Sequence, residues 1–209
     1  MMHTQQQEAC ARLIERRRSL LVARTDGHRV VAVAASRISN RERLPVQVVD
    51  SLALHSQWRR DFIAEEFDPR YIVTPQWMTK HYMLPIVPTE AITVLNLNVI
   101  AMFGGRSYTR VRDYLGWCRE TWDRDPAKAP RMVGLISPDQ LMKRLPLVSH
   151  LFPVDSTDVV ELGDQVQDLD LRKLRDAYVK ASVVKPWGTE TPGRGILSRR
   201  WAESERKKA

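Results

Sequence analysis

Apolar positions along the chain fall into short runs separated by polar stretches, and the spacing inside each run predicts an element. Residues 5–18 read as a short helix with Cys10, Leu13 and Ile14 on one side. Arg16-Arg17-Arg18 closes it, three cations suited to the negative end of a helix dipole. Leu20 to Ala35 holds two β-branched stretches about Asp26-Gly27, the signal of a hairpin. Residues 36–45 are polar and end in Pro45, so they read as a loop; residues 47–54 fit strand or helix. Ser56 to Phe67 places Trp58, Phe62 and Ile63 at helical spacing.

Residues 71–73, 82–87 and 92–103 read as extended. In the last of these Asn96 and Asn98 alternate with Leu95, Leu97 and Val99, a period of two that predicts a strand with one dry face, ended by Gly104-Gly105. Ser107 to Trp122 carries Tyr108, Val111, Leu115, Cys118 and Trp122 on one helical stripe. A charged, proline-bearing linker follows at 123–131. Ser137-Pro138-Asp139-Gln140 then has the form of a capping box, opening a helix that Pro146 shortens. The acidic stretch 155–170 gives way to a basic helical one at 172–185 with Leu171, Leu174, Tyr178 and Ala181 inward. The fold class this predicts is α+β: a small mixed or antiparallel sheet packed with helices, a helical C-terminal part and a flexible basic tail. The expected units are a mixed α/β nucleic-acid-binding domain over 1–122, helices over 132–185 and the tail over 186–209.

Charge changes the picture from fold to partner. The 209 residues carry 33 Lys and Arg against 25 Asp and Glu, a net charge of +8, and 25 of the cations are Arg. Arginine presents a planar donor fork that matches phosphates and guanine edges, so nucleic acid, RNA or DNA, is the leading partner class. A biased codon usage is the bland source of the same excess. No apolar run reaches the length of a membrane span and no apolar stretch follows the N-terminal charges, so neither a membrane protein nor a secreted one is expected. Cys10 and Cys118 alone cannot form a disulfide framework, which makes the cytoplasm the expected compartment.

Catalytic signatures are absent from the pattern. The five histidines are scattered without metal-ligand spacing, and no P-loop, complete dinucleotide fingerprint or nucleophile elbow occurs. No enzyme activity, metal or cofactor is therefore expected. Four clusters remain. Gly104-Gly105 followed by a helix forms a turn where an anion approaches backbone N–H groups, with Arg106 at its mouth. Arg110 and Trp117 share the non-core face of that helix, and Arg112 edges its apolar stripe. Trp77, Lys80 and His81 interleave rings and cations. Trp58-Arg59-Arg60 and Arg199-Arg200-Trp201 repeat the pairing of indole with paired arginines. Each cluster also has a plain structural reading, as a solvated face or a buried turn.

Lys80-His81-Tyr82-Met83-Leu84-Pro85, then a strand, the Gly104-Gly105 break and the arginine-led helix from Arg106 resemble one family over residues 70–122. It is the Cas-type "large subunit" of type IV CRISPR effector complexes, whose members often carry an N-terminal four-cysteine zinc module; here Cys10 stands alone in that region. The resemblance implies a non-catalytic subunit of an RNA-guided ribonucleoprotein in antiviral defence. It would work with other protein subunits, holding the guide RNA 5′ end and reading the short motif that flanks target DNA (PAM recognition), while base pairing reads sequence. Two alternatives stand beside it: a plasmid- or phage-encoded interaction or inhibitor protein, and a metal-dependent nuclease of unrecognised type.

Overall fold

The computed structural model describes residues 2, 4–23, 27–81, 84–100, 124–125, 127, 129–143, 145, 148, 152, 158–162 and 176. In chain order the elements are α1 (Thr4–Glu15), β1 (Arg18–Ala23), α2 (Gly27–Glu42), β2 (Val46–Val49), α3 (His55–Ile63), β3 (Tyr71–Val73) and α4 (Pro75–His81). They continue with β4 (Ile92–Asn96), the single turn α5 (Leu97–Ile100), β5 (Arg131–Ile136), α6 (Pro138–Lys143) and β6 (Asp158–Leu162). The strands form one sheet in the order β3-β2-β4-β5-β1-β6. Every pairing in it is parallel.

This is an α/β fold, and it overturns the expected α+β fold with a mixed or antiparallel sheet. The error lies at the supposed hairpin. Arg18–Ala23 is a strand, but the second β-branched stretch, with the supposed loop after it, is the 16-residue helix α2. Val30, Val31, Ala32, Val33, Ala34, Ala35 and Ile38 are all buried there, because α2 is covered by α1, α3 and the sheet together. A helix dry on most sides keeps only a narrow polar stripe, here Arg29, Arg37 and Arg41, and its apolar run Val30–Ala35 is hard to tell from a strand by pattern alone. Two further strands were hidden: β5, a central parallel strand, reads as a plain apolar run, and β6, at the edge of the sheet, carries acids among its apolar residues. β5 lies within Arg131–Ile136, just after the expected linker, and β6 lies within the acidic stretch. Both join the sheet formed by β1 to β4, so one sheet draws on residues either side of that linker.

Local chemistry explains the boundaries. Gly27 opens α2 against β5: a Cβ there would meet Leu135 Cδ1 at 2.6 Å, so any larger residue would push the leucine side chain aside. Arg43 ends α2 in the left-handed region at φ 56°, with its N–H bonded to Ser39 O at 2.7 Å. Glu66 plays the same part after α3 at φ 55°. The N–H of Phe67 bonds Phe62 O at 3.1 Å, and the two rings meet at 5.6 Å, which completes a Schellman stop. The three cations expected to cap α1 lie beyond its last residue, Glu15; Arg17 donates instead to Ala129 O at 2.8 Å. Among the described part of residues 82–87 there is no strand. This segment is held to the sheet by Gln47, whose side-chain amide exchanges hydrogen bonds with the backbone of Ile86 at 3.0 and 3.2 Å.

The layers follow from the strand order. Crossovers leaving β1 and β2 run towards β3 and carry α2 and α3 onto one face, beside α1. Those leaving β4 and β5 run the other way, so the connection after β5 covers the opposite face. There Phe152 fills the space above Gly134, 2.9 Å from where a Cβ would stand. The direction of crossover therefore reverses between adjacent strands at β2/β4 and again at β1/β5. Such switch points open crevices at the carboxyl edge of a parallel sheet, the usual place for a ligand.

Candidate functional site at the carboxyl edge

Four strands end in a row of polar residues at this edge. Asp50 follows β2, Asn96 ends β4, Ser137 follows β5, and His28 stands in the first turn of α2 beyond β1. Asp50 is fully buried. Its carboxylate accepts Trp58 Nε1–H at 2.6 Å, the Ser51 backbone N–H at 2.6 Å and Asn96 Nδ2–H at 2.9 Å. His28 Nε2 faces it at 3.6 Å, within ion-pair range. Burial pushes the Asp50 carboxyl up, but the facing His28 and the donors of Trp58, Asn96 and Ser51 outweigh it and hold the group below its ordinary value. The acid is thus kept ionised and fully engaged, an anchor that closes the β2/β4 crevice.

The row continues across the sheet. Asn96 Oδ1 accepts the Asn98 N–H at 3.1 Å, and Asn98 Oδ1 accepts the Ser137 N–H at 2.9 Å and its hydroxyl at 3.2 Å. The Ser137 hydroxyl expected to cap α6 thus turns towards Asn98, while the helix still begins at Pro138. The two asparagines were expected on the polar face of a strand through 92–103. Instead the strand stops at Asn96 and one helical turn carries Asn98 over the β5 end, so both belong to the edge. His28 packs edge-on against Trp58 at 4.8 Å, and its side chain keeps 19% exposure, so the row reaches solvent at His28.

The residues expected to bind nucleic acid divide into two groups. Arg59 and Arg60 are exposed on α3, on the side away from Trp58 and Phe62. Trp58 itself serves the core and Asp50 rather than a base. Lys80 and His81 are exposed at the end of α4. Trp77 is half-buried and stacks on His81 with ring centres 4.0 Å apart, while His81 Nδ1 lies 2.9 Å from Trp77 O. One indole face is therefore covered from within. Gly104, Gly105, Arg106, Arg110, Arg112, Trp117, Arg199 and Arg200 lie outside the described residues, as does the whole expected helix 107–122.

Asp50 and His28 were not legible as site residues. The only signal was an acid directly after an apolar run, which becomes meaningful once that run is known to be a parallel strand. Among the described residues no three His, Cys, Asp or Glu side chains gather as a metal site. Among the same residues no helix is long and apolar enough to cross a membrane. No protein-family model matches the chain, and no curated protein matches it.

Proposed function

We propose that the chain is a nucleic-acid-binding protein, acting without catalysis as a subunit of an RNA-guided ribonucleoprotein and meeting phosphodiester backbone through the outer surface of its α1–α3 layer. The observation that carries the reading is how charge is divided. Arg12, Arg37, Arg59 and Arg60 stand exposed on these three helices, while the acid best placed for chemistry, Asp50, is buried and has both oxygens engaged. An overall charge of +8 acts in the same direction. The RNA-guided assembly and its other protein subunits rest on the resemblance of residues 70–122.

The test is affinity for single-stranded RNA and duplex DNA over a range of salt. Wild type is expected to lose affinity steeply with salt. Arg59→Gln with Arg60→Gln should flatten the slope of log K against log salt by about 0.7 per lost contact on a single strand, or about 0.9 on a duplex. Binding that is absent at low salt, or indifferent to salt, overturns the reading.

A specific observation favours a second reading, a small-ligand site at the carboxyl edge beside His28. His28 is oriented by Asp50 at 3.6 Å, yet its side chain keeps 19% exposure. A ligand there should raise the melting temperature of wild type and leave a His28→Phe variant unmoved.

A further inference from the structure

A groove of about 410 Å³ runs over α2 on the side away from the sheet, lined by Met2, Gln7, Arg29, Val33, Arg37 and Glu65. Three of these, Arg29, Val33 and Arg37, are four residues apart and so form one row along the helix. The two guanidinium-bearing positions are separated by about 12 Å of helix axis, at roughly 1.5 Å per residue. Between them Val33, 1% exposed, makes an apolar floor, and Met2 supplies an apolar flank. Gln7, on α1, and Glu65, just after α3, complete the walls.

Arg29 is the unusual member. Its Nε is shielded from water and has no hydrogen-bond acceptor among the described residues. A buried donor left unmade is costly, and a bound water, ion or ligand can supply the missing acceptor. Arg37, by contrast, is exposed and extends the cationic row to the far end of the groove. An arginine fork pairs best with phosphate oxygens. Glu65 adds the opposite requirement: a carboxylate beside two cations repels phosphate and accepts a hydroxyl. A ligand satisfying all of these groups carries a phosphate, a neighbouring hydroxyl donor and a flat apolar body for Val33 and Met2. The groove's volume falls within the roughly 300–1,000 Å³ of small-ligand sites.

We propose that this groove is a ribonucleotide subsite in which Arg29 and Arg37 hold phosphate, Glu65 accepts a ribose hydroxyl and the base lies over Val33. This rests on the nucleic-acid-binding reading and deepens it. The subsite lies on the α1–α3 layer with Arg59 and Arg60, and it selects RNA over DNA through the 2′-hydroxyl. The same chemistry is offered by one nucleotide of a strand and by a free nucleotide.

The experiment titrates the full chain with a short single-stranded RNA, the DNA of the same sequence, and AMP, at several salt concentrations. Wild type and the variants Arg29→Gln, Arg37→Gln, Glu65→Gln and Arg59→Gln/Arg60→Gln are compared, with a melting curve for each. RNA should bind about tenfold more tightly than DNA, the equivalent of one charge-assisted hydrogen bond. Arg29→Gln and Arg37→Gln should each weaken RNA binding about tenfold and flatten the salt slope by about 0.7. Glu65→Gln should erase the preference for RNA. Arg37 is exposed, so its variant reports on the groove even if Arg29→Gln melts early. AMP binding that the same variants abolish, with strand binding untouched, assigns the subsite to a free nucleotide. If RNA binding weakens in Arg59→Gln/Arg60→Gln while neither groove variant alters RNA or AMP binding, the subsite is refuted and the broader reading stands. If wild type binds no nucleic acid yet binds AMP through Arg29 and Arg37, the subsite stands and the broader reading fails.

Discussion

Two charges are buried at opposite ends of the sheet, and the protein treats them differently. Asp50 at the carboxyl edge is enclosed by donors from Ser51, Trp58 and Asn96, with His28 facing it. Arg131, the first residue of β5 and only 4% exposed, donates through Nη2 to Ile14 O and faces Glu42 at 3.3 Å, but its Nε has no partner. Burial pushes the Arg131 guanidinium down, the Glu42 carboxylate opposes the shift, and Arg41 and Arg17 add to it. α2 connects the two sites. Its first turn presents His28 to the acid and its last residue presents Glu42 to the cation. A carboxylate near the N-terminus and a guanidinium near the C-terminus also complement the helix dipole. The lesson is that a buried charge organises a fold in proportion to how completely it is answered: Asp50 is a closed network, Arg131 an open one.

Removing the closed network should cost most. Asp50→Ala strands three buried donors and should lose about 3–5 kcal/mol in urea unfolding. Its pH behaviour has a definite sign. The folded carboxyl titrates below the unfolded value of 3.8, so its contribution is complete above that value and lost as pH falls through the folded one. Asp50→Asn should therefore flatten the acid limb of a stability-against-pH curve, and an unchanged limb would mean that the network is not what holds the proton off. Trp58→Phe removes one donor and keeps most of the ring, and about 2 kcal/mol is expected.

At the open end, Arg131→Met should shift stability by no more than about 1 kcal/mol in either direction, because removing an incompletely answered charge returns its desolvation cost. A loss as large as that of Asp50→Ala would erase the distinction between the two sites. Glu42→Gln should cost about 1 kcal/mol, since it takes the counter-charge from a buried guanidinium while keeping an oxygen that accepts its hydrogen bond.

How far the chain was legible depends on where each segment meets water. α3 was read correctly because it is two-sided, with Trp58 and Phe62 inward and Arg59 and Arg60 outward. α1 was legible for the same reason, through Ala9, Cys10 and Leu13. α2, the element that ties both buried charges together, was misread as half a hairpin and a loop because neighbours on several sides narrow its polar face to the row of Arg29, Arg37 and Arg41. β5 is buried at every position and shows no alternation either. The site suffered more than the fold. Arg59, Arg60 and Lys80 were recognisable as exposed cations, whereas Asp50, Asn96 and His28 lie between 22 and 68 residues apart in sequence, and nothing local marks them as neighbours.

Sequence by itself determined what one segment decides against water: the charge of +8, the amphipathic helices α1 and α3, a strand from Leu20, and the start of α6 at Pro138. Only the tertiary structure decided that the strands run parallel, that Val30 to Ala35 is helical, and that four strand ends meet in one polar row. The physical reason is that local pattern records a contrast between two environments. A segment enclosed on all sides has one environment, and its conformation and partners are settled by what surrounds it.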